Sequence, residues 1–342
     1  MSKFISLTSV IAAAVFFLAG CGSFGAKGGY ASDTRLYFDT AITVSVYDDR
    51  AEELLEDCFS ICDELERTLS AQDEDSELYR VNHRTAAETG ISDALSECIA
   101  MGLEAGELSD GEFDITILPV SGLWDFSSRQ GYAPEADEIE VAMERVDASA
   151  VYLDGNRLTV SNDDAMIDLG AIAKGYISGR IKDYLKEKGC EGAVINLGGN
   201  VSTLGNKEGK QFKVGIQKPF TDRGETIALI NMNEGCVISS GTYERYFTDR
   251  NGKLYHHILS AKTGYPCDTG LTQVTVIGDD DMLCDTLSTV FMLTGKERAE
   301  KIVKDRGYDL KLVFVDNEGK AVLFDPGTGE KEIAEGEVID LT

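Results

Sequence analysis

Two oxygen-bearing side chains one helical turn apart are the most chemically pointed feature of the chain. Asp285 and Thr289 lie four residues apart in segment 281–293, whose apolar residues recur at helical spacing, so both occupy one face. The apolar positions Leu283, Leu287, Val290 and Phe291 lie mostly elsewhere. A carboxylate and a hydroxyl so placed form part of a shell for a hard cation. Magnesium takes oxygen ligands, often few from protein, and completes its octahedron with water and substrate phosphates. On spacing alone, a Thr289 hydroxyl bonded back to its own helix beside a solvated Asp285 has the stronger claim. His256 and His257 are adjacent at the end of a hairpin strand and point to opposite faces, so at most one looks into a site. The turn Thr263-Gly264-Tyr265-Pro266 follows, and a histidine beside a glycine turn is a candidate general base, although lone strand histidines are more often structural or exposed. His83, the third histidine, lies in a polar loop.

A third constellation spans 168–200 and reads strand, glycine turn, helix, strand, glycine turn. Its first turn holds Asp168, Gly170, Lys174 and Gly175, and its second runs from Asn196 to Asn200. Glycines admit a ligand close to the backbone, and a following helix offers unpaired N–H groups to an anion. Two such turns suggest a phosphate-bearing ligand, and two ordinary turns explain them equally well. A P-loop, a Gly-x-Ser-x-Gly elbow and a His-Glu-x-x-His motif are missing from the sequence, and Gly170, Gly175 and Gly179 do not match a Gly-x-Gly-x-x-Gly fingerprint. Their absence weakens kinase, classical dehydrogenase, esterase and metalloprotease readings.

The elements that must position these residues alternate irregularly. Strands are expected at 35–47, 193–197, 212–217, 226–232, 237–239 and 271–277, and helices at 51–69, 92–108, 176–188, 281–293 and onward to Gly307. Segment 70–81 reads as a polar loop. Asp154-Gly155-Asn156, Asn251-Gly252 and 317–319 mark hairpins. Hairpins mixed with helices favour an α+β fold of largely antiparallel sheet over a doubly wound parallel one.

The chain has 342 residues and a formal charge of −28. This acidity argues against nucleic acid or an anionic membrane surface as a partner of the body, and any polyanionic ligand needs a metal ion or oriented N–H groups. Residues 1–20 read as a signal peptide, with Lys3 ahead of a short apolar run too brief to span a membrane. Leu18-Ala19-Gly20-Cys21 resembles a bacterial lipobox, which makes Cys21 the lipidated first residue of the mature chain, tethered through 21–33 to a single domain over 34–342. Setting Cys21 aside leaves an odd number of cysteines, and Cys58 and Cys62 fit a helix core better than a redox pair.

Taken in order, the motifs become specific. Asp168-Leu-Gly-Ala-Ile-Ala-Lys-Gly175, Asn196-Leu-Gly-Gly199, Ser239-Ser-Gly-Thr-Tyr-Glu-Arg-Tyr246, His257-Ile-Leu-Ser-Ala-Lys-Thr-Gly-Tyr-Pro266 and Cys284-Asp-Thr-Leu-Ser-Thr289 follow one another. Upstream stand Phe38-Asp-Thr40, Asp75-Ser-Glu-Leu with Asn82, and Gly111-Glu-Phe-Asp114. The series resembles the ApbE family of FAD:protein FMN transferases. That resemblance implies a T-fold-related α+β architecture and a magnesium-dependent flavoprotein enzyme of the cell exterior. Such an enzyme moves FMN from FAD onto a Ser/Thr hydroxyl of a partner protein through a phosphoester bond and releases AMP. Family partners include subunits of membrane flavin-dependent electron-transport complexes. Carried over, Glu112, Phe113, Asp114, Asp168, Lys174 and Ile258 contact FAD. The Ala171 carbonyl, Asp285 and Thr289 hold magnesium, and His257 rather than His256 is the base. The chain departs from the family at Ser260-Ala261, where many members have Asp-Pro, and at Phe38-Asp39, where many have Met-Gly. Three rivals remain: an FAD pyrophosphatase using the same site, a non-catalytic FAD-binding lipoprotein, and a transporter's solute-binding lipoprotein. Intact Asp285, Thr289 and His257 oppose the second, and the antiparallel hairpins oppose the third.

Overall fold

The computed structural model describes residues 29–340 apart from 125, 127–131 and 223; the expected leader and residues 21–28 of the expected tether lie outside the described residues, and residues 30–33, also expected in the tether, belong instead to the first strand. The dominant layer is an antiparallel sheet. Its strands lie in the order Tyr30–Tyr37, Thr40–Tyr47, Gly192–Leu197, Asn200–Gly205, Gly235–Gly241, Leu271–Gly278, Lys311–Asp316, Ala321–Asp325 and Gly329–Glu332. Both of its faces are covered, which is why its central strands read as nearly continuous apolar runs. Side chains alternate between two cores: Ile238, Val276, Leu312 and Phe314 face the helices, while Val237, Ile277, Val313 and Val315 face the other way.

The helical face is built from Ala51–Leu69, Asp93–Leu108, Ala173–Glu187, Asp281–Thr294 and Lys296–Arg306. Cys58 and Cys62 are buried there among Leu54, Phe59 and Leu65, as small apolar residues. The opposite face is capped by a three-stranded sheet, Glu337–Asp340, Thr226–Met232 and Phe212–Gln217. A third apolar cluster around Trp124, Ile139, Phe247 and Leu259 supports the histidine hairpin.

Several expectations change. The strand expected over 35–47 is two strands, Tyr30–Tyr37 and Thr40–Tyr47, joined at Phe38 and Asp39 with φ of 49° and 56°. A two-residue hairpin of this type needs both central residues left-handed, and without glycine or asparagine the turn carried no signal. Segment 70–81 contains the helix Glu77–Asn82, whose N-cap Ser76 accepts a hydrogen bond from the Tyr79 N–H. A short helix, Leu118–Ser121, has Pro119 in its first turn. The turn at Gly198–Gly199 leads into the antiparallel strand Asn200–Gly205, with no helix after it.

Candidate active site

The site begins where two helices touch at a glycine. A Cβ on Gly175 would sit 2.4 Å from the Asp281 carbonyl oxygen and 2.6 Å from Asp285 Cβ, so only glycine lets Ala173–Glu187 lie this close to Asp281–Thr294. The contact brings the Gly175 N–H to Asp285 Oδ2 at 2.8 Å. Gly175 is the third residue of its helix, where the N–H has no intrahelical partner and is free to serve the carboxylate. Ala171 lies in the turn just before that helix.

Asp285 is buried and 2 % exposed. Asn200 Nδ2 donates to its Oδ1 at 2.8 Å, and Lys174 Nζ stands 3.7 Å from its Oδ2. Burial pushes the carboxyl pKa up, against Lys174, the Gly175 N–H and Asn200, which favour the charged form. One turn on, Ser240 Oγ shares hydrogen bonds with Ser288 Oγ at 2.7 Å and Thr289 Oγ1 at 3.2 Å. Thr289 therefore faces the neighbouring strand end and another hydroxyl.

A second carboxylate, Asp281, lies one turn before Asp285. It pairs with buried Lys182 and accepts from Ser202 Oγ, while Lys182 Nζ also donates to the Asp279 carbonyl at 2.8 Å. Burial alone would lower the Lys182 pKa; the Asp281 charge outweighs it and the net shift is upward.

His257 stands on the facing side. Its backbone N–H donates to the Arg245 carbonyl at 3.1 Å. The residue is partly exposed, yet its Nδ1 is buried and has no hydrogen-bond partner among the described residues. Burial, then the charges of Arg245, His256 and Lys174, push its pKa down to about 3. Lys174 thus lies close enough to act on both Asp285 and His257. His256 points away: its Nε2 lies 3.0 Å from the Cys267 carbonyl and its Nδ1 accepts from the Ile258 N–H at 3.3 Å. The two adjacent rings thus lie in different surroundings, as expected of neighbours at a strand end.

The remaining expected residues frame the site. Asp168 is half-buried; Ser121 Oγ donates to its Oδ2 at 3.2 Å and the Gly170 N–H to its Oδ1 at 2.8 Å. Lys174 Nζ reaches the Gly170 carbonyl at 3.2 Å. Glu112 accepts from Ser260 Oγ at 2.5 Å and pairs with Lys262 at 3.2 Å, and its carbonyl accepts from the Ala261 N–H at 2.9 Å. Ser260-Ala261 is thereby tied to 112–114. Phe113 and Ile258 are buried in the main core. The Asp114 carboxylate is occupied by Thr116 and the Ala148 N–H, and it braces the loop.

Asn200, Ser240 and Gly175 belong to motifs the sequence singled out, but their side-chain or packing roles had no signal there. Asn196 Oδ1 accepts from the Gly199 N–H at 2.9 Å, so this turn serves the site through the Asn200 side chain and not through a free N–H cradle.

The ApbE family model matches residues 38–314. The chain belongs to the ApbE family. Among curated relatives, an FAD:protein FMN transferase of Klebsiella pneumoniae (strain 342) is 33% identical over 304 residues, covering 86% of this chain and 94% of its own length. One from Treponema pallidum (strain Nichols) is 28% identical over 331 residues, covering 90% and 91%. Among solved structures, the ApbE protein of Thermotoga maritima superposes with a TM-score of 0.76 at 29% identity, over 86% of this chain and 96% of that one. The flavin transferase ApbE from Vibrio cholerae has the same fold, with a TM-score of 0.75 at 22% identity over 90% and 97%. The α+β architecture of antiparallel sheets and packed helices is the family's.

The donor set fits a hard cation. Among the described residues no group of three or more His, Cys, Asp or Glu side chains could hold a metal ion. What is present is one buried carboxylate, a hydroxyl a turn away and the Ala171 carbonyl in the turn before the helix Ala173–Glu187. Magnesium accepts such a sparse set of oxygen ligands when phosphates complete its shell.

Proposed function

We propose that this ApbE-family chain transfers the FMN portion of FAD to a Ser/Thr hydroxyl of a partner protein. The observation that carries this reading is Lys174, which stands 3.7 Å from the Asp285 carboxylate and also acts on the His257 ring. In this reading Asp168, Lys174 and the 112–114 segment bind FAD, with Ile258 packed beneath, and the Ala171 carbonyl, Asp285 and Thr289 hold magnesium. Bound there, magnesium would neutralise charge on the pyrophosphate, which a body of net charge −28 cannot do alone.

The protein's own share of the chemistry is positional and protonic. Lys174 carries a positive charge to the phosphates. His257, neutral because its pKa is depressed, takes the proton from the acceptor hydroxyl. The hydroxyl oxygen forms a bond to the FMN phosphorus, the bond to the bridging oxygen breaks, and AMP departs with that oxygen. The product is a phosphoester on the acceptor.

Residues 1–21 support a further part of the proposal: lipid anchoring through Cys21 places the enzyme on the outer side of the cell membrane, beside membrane-bound acceptors. Cys21→Ala should release it from membranes on fractionation.

The test incubates purified protein with FAD, magnesium and a small reporter protein bearing a Ser-Gly-Ala-Thr tag, then weighs the reporter. A covalent FMN adduct supports transfer. AMP and FMN without adduct would make the protein an FAD pyrophosphatase, and neither product would leave only flavin binding.

A further inference from the structure

The helix Asp281–Thr294 carries three threonines, and two of them use their hydroxyls in the same way. Thr286 Oγ1 donates to the Met282 carbonyl at 2.8 Å and Thr294 Oγ1 to the Val290 carbonyl at 2.9 Å, each four residues back along the helix. Thr289 departs from this habit. The Asp285 carbonyl, which its hydroxyl would reach by the same rule, accepts from Ser288 Oγ at 2.8 Å, and Thr289 Oγ1 meets Ser240 Oγ at 3.2 Å instead. Ser240 is brought there by strand alternation. It follows Ile238 by two residues, so both lie on the helical face of Gly235–Gly241. Ser240 and Thr289 are each partly exposed.

The protons of this cluster can be ordered in one way. A hydroxyl has a single proton to donate. Ser288 spends its own on the Asp285 carbonyl, which can only accept. In the 2.7 Å contact between Ser240 and Ser288 the donor is therefore Ser240. Its proton being used there, the donor in the contact between Ser240 and Thr289 is Thr289. The series runs from Thr289 to Ser240, to Ser288 and to the Asp285 carbonyl. Of the three hydroxyls, Thr289 is the one whose oxygen gives its proton and accepts none among the described residues. A hard cation is bound by an oxygen in this state, with lone pairs unused and its proton held elsewhere.

We infer that Ser240 is a positioning residue for the cation: it takes the Thr289 proton and so presents Thr289 Oγ1 as an acceptor only. This rests on the reading in which Asp285 and Thr289 hold magnesium. Ser240 acts through Thr289, in the way that outer partners of metal ligands fix the orientation of the groups they touch. Ser288 has two parts in the same device. It occupies the carbonyl to which Thr289 would otherwise bond back, and it consumes the Ser240 proton, so that Ser240 can only accept from Thr289.

The experiment titrates magnesium chloride calorimetrically into the purified protein at fixed ionic strength, and follows unfolding in EDTA. Ser240→Ala should raise the magnesium Kd about tenfold. Its unfolding temperature in EDTA should stay within about 2 °C of wild type, and kcat for transfer at saturating magnesium within about threefold. Ser240→Thr, which keeps the hydroxyl, should bring the Kd back to within about twofold of wild type. Thr289→Val should weaken magnesium at least as much as Ser240→Ala, and adding Ser240→Ala to it should weaken binding no further. A wild-type Kd in Ser240→Ala overturns the positioning role. So does a further loss in the double variant, because Ser240 would then act on the cation without Thr289. If the wild-type protein binds no magnesium, or Asp285→Asn binds it as tightly, the metal reading itself falls. The role of Ser240 falls separately when Asp285→Asn loses magnesium and Ser240→Ala does not.

Discussion

Asp285 and His257 carry opposite perturbations, and each sets a test. Asp285→Asn removes the metal-binding charge while nearly preserving volume, and should lower magnesium-dependent transfer by at least a hundredfold, read as AMP release across a magnesium titration. Activity within a fewfold of wild type would remove Asp285 from the metal site. His257 has a folded pKa below its unfolded one, so its stability contribution is complete above about 6.5 and is lost as pH falls toward about 3. The functional corollary is a neutral ring throughout the physiological range. With magnesium saturating at every pH, transfer kcat/KM should stay flat from pH 8 to about 5.5, where an unperturbed imidazole would already be mostly protonated. An acid limb near 6.5 that disappears in His257→Gln would contradict the burial argument. These roles were legible in sequence to different degrees. The spacing of Asp285 and Thr289 could be read from helical period alone, and His257 was separated from His256 only by motif likeness. Asn200 and Ser240 were invisible as site groups because their contacts join residues 85 and 49 positions apart.

Helix pairing decides whether those side chains meet. Ala173–Glu187 and Asp281–Thr294 are pinned at one end by Gly175 against Asp285 and at the other by Lys182 against Asp281. Gly175→Ala should push the helices apart, costing about 1–3 kcal/mol in denaturant unfolding and a larger share of activity, because Asp285 moves with its helix. Lys182→Met leaves the Asp281 carboxylate buried without its partner and should cost about 3–5 kcal/mol. Adding Asp281→Leu to it should recover much of that loss; no recovery would mean that Lys182 matters for packing and not for charge. Elements with strong period or strong caps were readable in advance: the long helices, the Asp154-Gly155-Asn156 hairpin, and the Asp281 helix, capped by the Asp280 side chain at Leu283 N–H and closed by Gly295. The turn at Phe38–Asp39 was not, since it uses residues that local preference disfavours and is held by tertiary contact, the Phe38 N–H donating to Glu66 Oε1 at 2.7 Å. The strands Gly329–Glu332 and Glu337–Asp340 were missed because both are short and polar-rich; the first pairs with its neighbour Ala321–Asp325, and the second exists through pairing with the distant Thr226–Met232.

At the scale of the whole molecule, the proposed magnesium site asks an acidic body to keep a buried carboxylate ready for a cation. Asp285 has its pKa raised in the fold, so this group's contribution to stability is present at low pH and is lost as pH rises through its folded value. A bound cation reverses that loss, and it must displace the proton where the carboxyl is still protonated. Magnesium should therefore raise the unfolding temperature more at pH 8 than at pH 5.5. At a hundredfold excess over Kd the gain is about 2.7 kcal/mol, enough for a shift of several degrees. General screening of a net charge of −28 would also stabilise the protein, but it has a different signature: sodium chloride of equal ionic strength would reproduce it, and Asp285→Asn would keep it. Site binding predicts that the magnesium increment disappears in Asp285→Asn and survives in Glu112→Gln, whose carboxylate is engaged with Ser260 and Lys262. Thermal unfolding of the three proteins, with magnesium or with EDTA and matched salt at both pH values, separates the two. If Asp285→Asn retained the full increment at pH 8, the cation would be acting on the acidic surface as a whole, and Asp285 would be a buried structural carboxylate held by Gly175 and Asn200.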